Sequence, residues 1–223
     1  QIASRVSEAF RLANASHRGP VFLDVPMDHL YSRTRVGLPA APEPDPASPD
    51  PDALAEVVEA LATAHRPVLV IGSDIWADRA EIAARRTVEE LGIPVISNGM
   101  GRGVLPAGHE LLVTRARGTA LGRADLVVVA GAPLDFRLGF GSFGGTDRAP
   151  PARVVPLTDA PGQLAGHVEL AAGASGDLTQ LFDGLLAAWA QQLRTPSWSD
   201  WLSTLQQQVK VAAQPNILPL IKT

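Results

Sequence analysis

Residues 125–131 read DLVVVAG, in which five consecutive apolar residues lie between an aspartate and a glycine. Similar short apolar runs predict strands at 67–72, 93–97, 153–157 and 167–170. Strands that are apolar on both faces are typical of a parallel sheet with helices on each side. Helical spacing between these runs predicts helices at 52–64, 77–91, about 115–123 and 175–192. Residues 52–190 are therefore predicted to form an α/β domain with a doubly wound, Rossmann-like parallel sheet.

A proline-rich stretch separates this predicted domain from the start of the chain. Prolines recur and the apolar period disappears between 37 and 51, which favours extended, semi-rigid chain and predicts a linker. Residues 1–36 carry a helix pattern at 2–16 and a strand pattern at 21–26. One helix and one strand cannot form a core, so we expect these residues to be the end of a preceding domain.

The last part of the chain, residues 191–223, has a helical pattern of its own. Trp198 and Trp201 stand at helical spacing after Thr195, and the pattern is lost near Pro215. We expect a connecting helix and tail that lead out of the central domain toward a further one.

Composition excludes several classes of function. The 223 residues are 46% hydrophobic and carry 19 basic against 23 acidic residues, with the basic residues scattered, so no nucleic-acid footprint is present. No apolar run is long enough to cross a bilayer, and the first residues do not resemble a signal peptide. The chain is therefore expected to be a cytoplasmic protein. With no cysteine, it can form neither a disulfide nor a thiolate metal site.

Ligands of open parallel sheets bind beyond the carboxyl ends of the strands, so the loops that follow the strands are the candidate site. The loop at 98–103 holds three glycines in alternate positions, which would allow its backbone to approach a ligand closely. The spacing does not complete a GxGxxG motif, and an ordinary turn is the alternative.

Charged residues in these loops allow two interpretations each. Arg137 could bind a phosphate or stack on a flat ring, or it could pair with Asp135. Asp159 could accept a ribose hydroxyl or cap the following turn. Thr114 and Arg115 open a helix whose amides could face an anion, although arginines on a helix are usually only solvated.

The sequence shows no catalytic or metal motif. His109 lies in a loop where a structural or solvated role is the more common one, and we assign it no function. No HExxH, GxSxG or P-loop spacing is present, so no metal is expected within this segment. The residues alone support an α/β binding domain.

Several stretches in a fixed order resemble thiamine-diphosphate enzymes of the acetolactate synthase, oxalyl-CoA decarboxylase and 2-hydroxyacyl-CoA lyase group. GPVFLDVPMD at 19–28 is similar to the family signature that closes the N-terminal pyrimidine-binding domain. RPVLVIG at 66–72, GIPV at 92–95 with NGMGRGVLP at 98–106, and ADLV at 124–127 with DFR at 135–137 resemble segments of the central domain. The resemblance covers most of the chain.

The resemblance implies a nucleotide moiety in the central domain, which is FAD in acetolactate synthases and ADP or the nucleotide of CoA in the other enzymes. The contact positions that it implies are Gly72, Ser73, Asn98, Gly99, Met100, Thr114, Arg115, Gly131, Arg137 and Asp159. The chain departs from the family where Ser73 and Asp74 replace a glycine-rich turn. A carboxylate at Asp74 disfavours a nearby phosphate.

The resemblance also implies thiamine diphosphate and magnesium in the parent enzyme, at sites outside these residues. The glutamate that activates the cofactor and the GDG…N motif that holds magnesium are expected upstream and downstream, so this segment is expected to be inactive alone. The parent enzyme is expected to act on a small 2-oxo acid, or to cleave a 2-hydroxyacyl-CoA, as a homodimer or homotetramer. A stand-alone dinucleotide-binding module and an oligomerisation scaffold remain as alternatives.

Overall fold

The computed structural model describes residues 2–31, 33, 35, 37, 40, 47–146, 149–193 and 195–213. Contacts between residues divide the chain into two units, Gln1–Ala47 and Ser48–Thr223. Most of the proline-rich stretch, including Pro39, Pro42, Pro44 and Pro46, lies outside the described residues, as does the tail after Ala213. No helix in the described ranges is both long and apolar enough to span a bilayer.

The described residues of the first unit form two helices, α1 (Ile2–Asn14) and α2 (Met27–Leu30), and neither helix buries a residue. The helix expected at 2–16 is confirmed. The strand expected at 21–26 is wrong, because these residues have no regular structure, and Phe22 is 91% exposed. A strand requires a hydrogen-bonding neighbour, and the described residues of this unit supply none.

The second unit is built on a sheet of five parallel strands: β1 (Pro67–Ile71), β2 (Val95–Ser97), β3 (Leu126–Ala130), β6 (Arg153–Thr158) and β7 (Ala174–Ser175). They lie in the order β2-β1-β3-β6-β7. A hairpin of β4 (Gly144–Thr146) and β5 (Ala149–Pro151) lies before β6. The expected doubly wound parallel sheet is confirmed.

Both faces of the sheet are buried, as the all-apolar strands require. Alternate residues of β1 enter different cores: Leu69 and Ile71 pack in one, Val68 and Val70 in the other. The first core is covered by α3 (Pro51–Ala62), α5 (Glu81–Leu91) and α7 (Leu178–Trp189). The second is covered by α6 (Arg117–Arg123) and α8 (Ser199–Ala213).

Local chemistry sets the ends of these helices. The carboxylate of Asp50 accepts from the amide of Asp52 at 3.0 Å, and Pro51 occupies the first helical position of α3. Asp177 caps α7 in the same way, accepting from the amide of Gln180 at 2.9 Å. α5 ends at Gly92, whose φ of 66° is a conformation that glycine adopts without strain.

Two expected elements of the second unit differ from the structure. The strand expected at 167–170 is wrong: these residues form bends, and the edge strand is the two-residue β7. The helix expected at 77–91 begins only at Glu81, as α5, because Arg79 has a φ of 58° and separates α5 from the short helix α4 (Asp74–Ala77).

The helix expected after Thr195 is observed as α8, and it packs on the domain. In α8, Trp201 is 5% exposed and its indole N–H donates to the carbonyl of Pro67 at 3.0 Å. Trp198, just before the helix, donates to the carbonyl of Ala64 at 2.9 Å. Two indole hydrogen bonds thus hold this segment against the residues at and just before the start of β1.

Candidate functional site

Four loops follow the carboxyl ends of β1, β2, β3 and β6, and the parallel arrangement brings them to one edge of the sheet. Gly72, Asn98, Gly131 and Asp159 are the first residues after these strands. The sequence predicted this common edge, where ligands of open α/β sheets bind. We call it the carboxyl edge.

Gly72 lies against the neighbouring strand end. A Cβ at this position would lie 2.1 Å from the carbonyl oxygen of Gly131 and 2.4 Å from the Cβ of Ala132. The amide of Gly72 donates to the carbonyl of Ala130 at 2.8 Å, and the amide of Asp74 donates to Gly131 at 3.0 Å. Protein backbone therefore occupies the space that glycine leaves open here.

Ser73 joins the loops after β1 and β2. Its hydroxyl accepts from the amide of Met100 at 3.1 Å. A Cβ at Gly99, whose φ is 53°, would come within 2.4 Å of the same hydroxyl. The amide of Asn98 donates to the carbonyl of Ile71 at 2.8 Å. The two glycine-containing loops thus contact each other closely, an arrangement that spacing along the sequence did not indicate.

Thr114 also binds protein backbone, because its hydroxyl accepts from the amide of Ser97 at 2.9 Å. It begins a short 3-10 helix, Thr114–Ala116, that leads into α6. Arg115 is exposed. Of these two predicted contact residues, only Arg115 projects a charged group to solvent.

Of the two roles predicted for Arg137, binding a ligand or pairing with Asp135, the structure shows the pair with Asp135. Its Nε lies 2.9 Å from Oδ2 of Asp135, and its Nη2 also contacts that oxygen. The guanidinium lies 5.7 Å from the ring centre of Phe136, and Arg117 donates to the carbonyl of Arg137. The guanidinium of Arg137 holds the pKa of Asp135 below its usual value, chiefly through the side-chain hydrogen bond.

Asp159 is 1% exposed at the end of β6. A carboxylate oxygen of Asp159 lies within 4.8 Å of a carboxylate oxygen of Asp74. Both residues interact with other groups of the protein. The carboxyl edge therefore carries two acidic groups close together.

His109, which the sequence left without a role, belongs to a small surface network. Its Nδ1 accepts from the amide of Leu111 at 3.2 Å, and its Nε2 lies 3.2 Å from a carboxylate oxygen of Glu89. Arg85 donates to the same carboxylate at 2.8 Å and, with a smaller effect of His109, lowers the pKa of Glu89. The network holds the segment before Val113, which lies beside Val95 at the start of β2 and not at its carboxyl end.

The structure joins five of the ten predicted contact residues to one another. Gly72, Ser73, Gly99, Met100 and Gly131 are joined by the contacts described above. Arg137 itself is exposed, on a segment of 3-10 turns, Phe136–Gly141, that the sequence did not predict.

Comparison with known proteins places this geometry in a family. The profile of the family described as "Thiamine pyrophosphate enzyme, central domain" matches residues 54–185. Acetolactate synthase large subunit IlvG of Mycobacterium tuberculosis is 42% identical over 212 residues, which cover 85% of this chain and 36% of that protein. Oxalyl-CoA decarboxylase of Escherichia coli K12 is 28% identical over 211 residues, 91% of this chain and 37% of that protein.

Solved structures agree on the fold. Benzoylformate decarboxylase from Polynucleobacter necessarius superposes with a TM-score of 0.65 at 21% identity, over 87% of this chain and 36% of that one. The chain spans little more than a third of the length of these relatives. Residues 54–185 are the central domain of a thiamine pyrophosphate enzyme, and the chain belongs to that family.

Proposed function

We propose that this chain is the central part of an enzyme of the acetolactate synthase type, which decarboxylates small 2-oxo acids with the aid of thiamine diphosphate. The observation that carries the proposal is the 42% identity to the mycobacterial acetolactate synthase over 212 residues. Over a match of the same extent, 211 residues, the identity to oxalyl-CoA decarboxylase is 28%. An oxalyl-CoA decarboxylase or 2-hydroxyacyl-CoA lyase activity is the second candidate.

In this proposal the segment is a scaffold and carries no catalytic group. Thiamine diphosphate supplies the means to stabilise negative charge on a reacting carbon. We place that cofactor and its magnesium ion outside these residues, because the strand-end amides of Gly72, Asp74, Asn98 and Met100 already donate to protein acceptors. The enzyme is proposed to be a cytoplasmic homodimer or homotetramer.

The carboxyl edge is the proposed place of a nucleotide moiety, either FAD or the ADP portion of CoA. The surfaces that support this are the loops that contain Ser73, Asn98 to Met100, and Thr114 with Arg115, which meet around the ends of β1 and β2. Gly131, Arg137 and Asp159 complete the proposed set. A stand-alone dinucleotide-binding module would use the same edge.

The complete product of the gene that encodes this chain provides the test. With thiamine diphosphate and magnesium, we expect release of carbon dioxide from pyruvate and formation of acetolactate. Turnover of oxalyl-CoA or a 2-hydroxyacyl-CoA, with none of pyruvate, would favour the second candidate. If no substrate is turned over in a thiamine-dependent manner while the protein is folded, the proposal is wrong. The 223-residue chain alone is expected to show no turnover and no saturable binding of thiamine diphosphate in calorimetry.

A further inference from the structure

The loop after β2 contains Asn98 followed by Gly99, a dipeptide with a chemical reactivity of its own. The backbone nitrogen of the residue after an asparagine is able to attack the side-chain carbonyl carbon of that asparagine and close a five-membered ring. Glycine favours this attack, because it has no Cβ to hinder the nitrogen and turns freely about its backbone bonds. The structure describes two of the three asparagines of the chain, and the other described one, Asn14, precedes an alanine.

The Asn98–Gly99 pair is open to solvent. Asn98 is partly buried, and Gly99 and Met100 are exposed. The amide of Gly99 is the first of the 3-10 helix Gly99–Gly101, so it has no acceptor within that helix. Neither burial nor a helical hydrogen bond therefore protects the attacking nitrogen.

The backbone conformation of Asn98 opposes the reaction in the folded protein. Ring closure requires the Cβ of Asn98 and the nitrogen of Gly99 to be eclipsed about the bond between Cα and the carbonyl carbon. A ψ of 140° does not place them so, and the peptide group between the two residues must first rotate. The carbonyl of Asn98 accepts from the amide of Gly101 at 3.0 Å, and the amide of Asn98 donates to Ile71 at 2.8 Å. Both hydrogen bonds resist this rotation.

Ser73 adds a restraint from the neighbouring loop. Its hydroxyl accepts from the amide of Met100 at 3.1 Å and lies 2.4 Å from the position of a Cβ on Gly99. A side chain at residue 99 would strike this hydroxyl, and the φ of 53° at this residue also suits glycine. The contact between the loops thus requires the glycine that makes Asn98 reactive, and it also holds that glycine in place.

We propose that Asn98 is a site of spontaneous deamidation, and that the contact of Ser73 with the segment 99–100 sets its rate in the folded protein. The nitrogen of Gly99 loses its proton to water or hydroxide and bonds to the side-chain carbonyl carbon of Asn98. The bond from that carbon to the side-chain nitrogen breaks, and ammonia leaves. Water then opens the succinimide at either of its carbonyl carbons, which gives aspartate or isoaspartate. Overall, one water molecule is consumed and one ammonia molecule is released.

The isoaspartate product alters the carboxyl edge. Its main chain is one methylene longer, which shifts Gly99 and Met100 relative to Ser73. The deamidation needs only water, so the proposal does not rest on the enzymatic function proposed above.

The test follows the side-chain amide of Asn98 by mass spectrometry after incubation of the 223-residue chain at mildly alkaline pH. Tryptic cleavage gives the peptide 87–102, in which Asn98 is the single side-chain amide, and the peptide 12–18, which contains Asn14. We expect –OH to replace –NH2 much faster in 87–102 than in 12–18, with both aspartyl and isoaspartyl products. In urea, where the loop loses its hydrogen bonds, the reaction in 87–102 should be faster than in the folded chain.

The Ser73→Ala variant tests the restraint from the neighbouring loop. Loss of one hydrogen bond that must break before reaction should raise the deamidation rate of the folded chain roughly 2- to 13-fold. Ser203→Ala is the matched control, because Ser203 is exposed in α8 and its replacement should leave the rate unchanged. Asn98→Gln should stop the reaction in this peptide, because glutamine would have to form a six-membered ring.

Three results would overturn the proposal. The first is a folded chain in which the peptide 87–102 keeps its amide as long as the peptide 12–18 does. The second is formation of aspartate without isoaspartate, which indicates direct hydrolysis instead of a succinimide. The third is a folded Ser73→Ala variant with the same rate as Ser203→Ala. If Ser73→Ala does not fold, equal rates in native and urea-unfolded wild-type chain would show that the loop contact has no influence.

Discussion

Replacement of Gly72 by alanine is expected to destabilise the second unit strongly, since this glycine allows the loop after β1 to lie against that after β3. The added methyl group would be 2.1 Å from the carbonyl oxygen of Gly131 and 2.4 Å from the Cβ of Ala132. To restore a contact of 3.0 Å, the two backbones must separate by about 0.9 Å, the difference between 3.0 and 2.1 Å. Neither obstacle is the end of a flexible side chain.

The expected loss follows from what this separation disturbs. Overpacking of a dense interior costs about 1–3 kcal/mol. The amide of Gly72 donates to Ala130 at 2.8 Å and the amide of Asp74 donates to Gly131 at 3.0 Å, so both hydrogen bonds lengthen. Each is worth about 0.5–1.5 kcal/mol, and we expect a total loss of about 2–6 kcal/mol. For a chain of this size that is roughly 4–24 °C in Tm.

Urea unfolding followed by fluorescence of the buried Trp198 and Trp201 measures this loss. The matched control is Gly118→Ala, because Gly118 lies in α6 with nothing within 4 Å of an added Cβ. That variant should be stabilised by about 0.5–1 kcal/mol, the usual gain when alanine replaces a helical glycine. A Gly72→Ala variant within about 0.5 kcal/mol of the wild-type chain would refute the steric argument.

Two further predictions concern side chains. The pKa of Asp135, measured by carboxyl carbon NMR, should lie below its usual value of about 3.9, and Arg137→Gln should raise it. Because the folded-state pKa is depressed, the pair stabilises its loop above the unfolded-state pKa of the carboxyl group and loses this effect as pH falls through the folded-state pKa. An unchanged pKa in Arg137→Gln would contradict this assignment. Trp201→Phe should lower the free energy of unfolding by about 1–3 kcal/mol, since the buried carbonyl of Pro67 loses its donor, whereas Trp76→Phe, at an exposed position, should change it little.

The sequence predicted the sheet well because strands that are buried on both faces are apolar at consecutive positions, and this pattern is visible in the sequence. β1 and β3 are apolar throughout, and both were placed within one residue of their observed ends. β7 was misplaced because an edge strand of two residues, Ala174–Ser175, is too short to show an apolar run. The better apolar pattern nearby, around Val168 and Leu170, packs against the second core from a loop.

The site was predicted only in outline. That the loops after β1, β2 and β3 would share an edge follows from parallel topology. The contacts that the side chains of these loops make do not follow from the topology, because each contact joins positions far apart in the chain. The hydroxyl of Ser73 meets an amide 27 residues away, at Met100, and only the fold brings these two together.

A glycine at the end of a parallel strand therefore has two physical explanations that sequence cannot separate. It can leave room for a ligand, or it can leave room for the neighbouring loop of the same sheet. At Gly72 the second explanation accounts for the residue fully, since the carbonyl of Gly131 occupies the space. A glycine at such a position is therefore not evidence of a ligand site by itself, and Gly72→Ala measures the packing that this glycine allows.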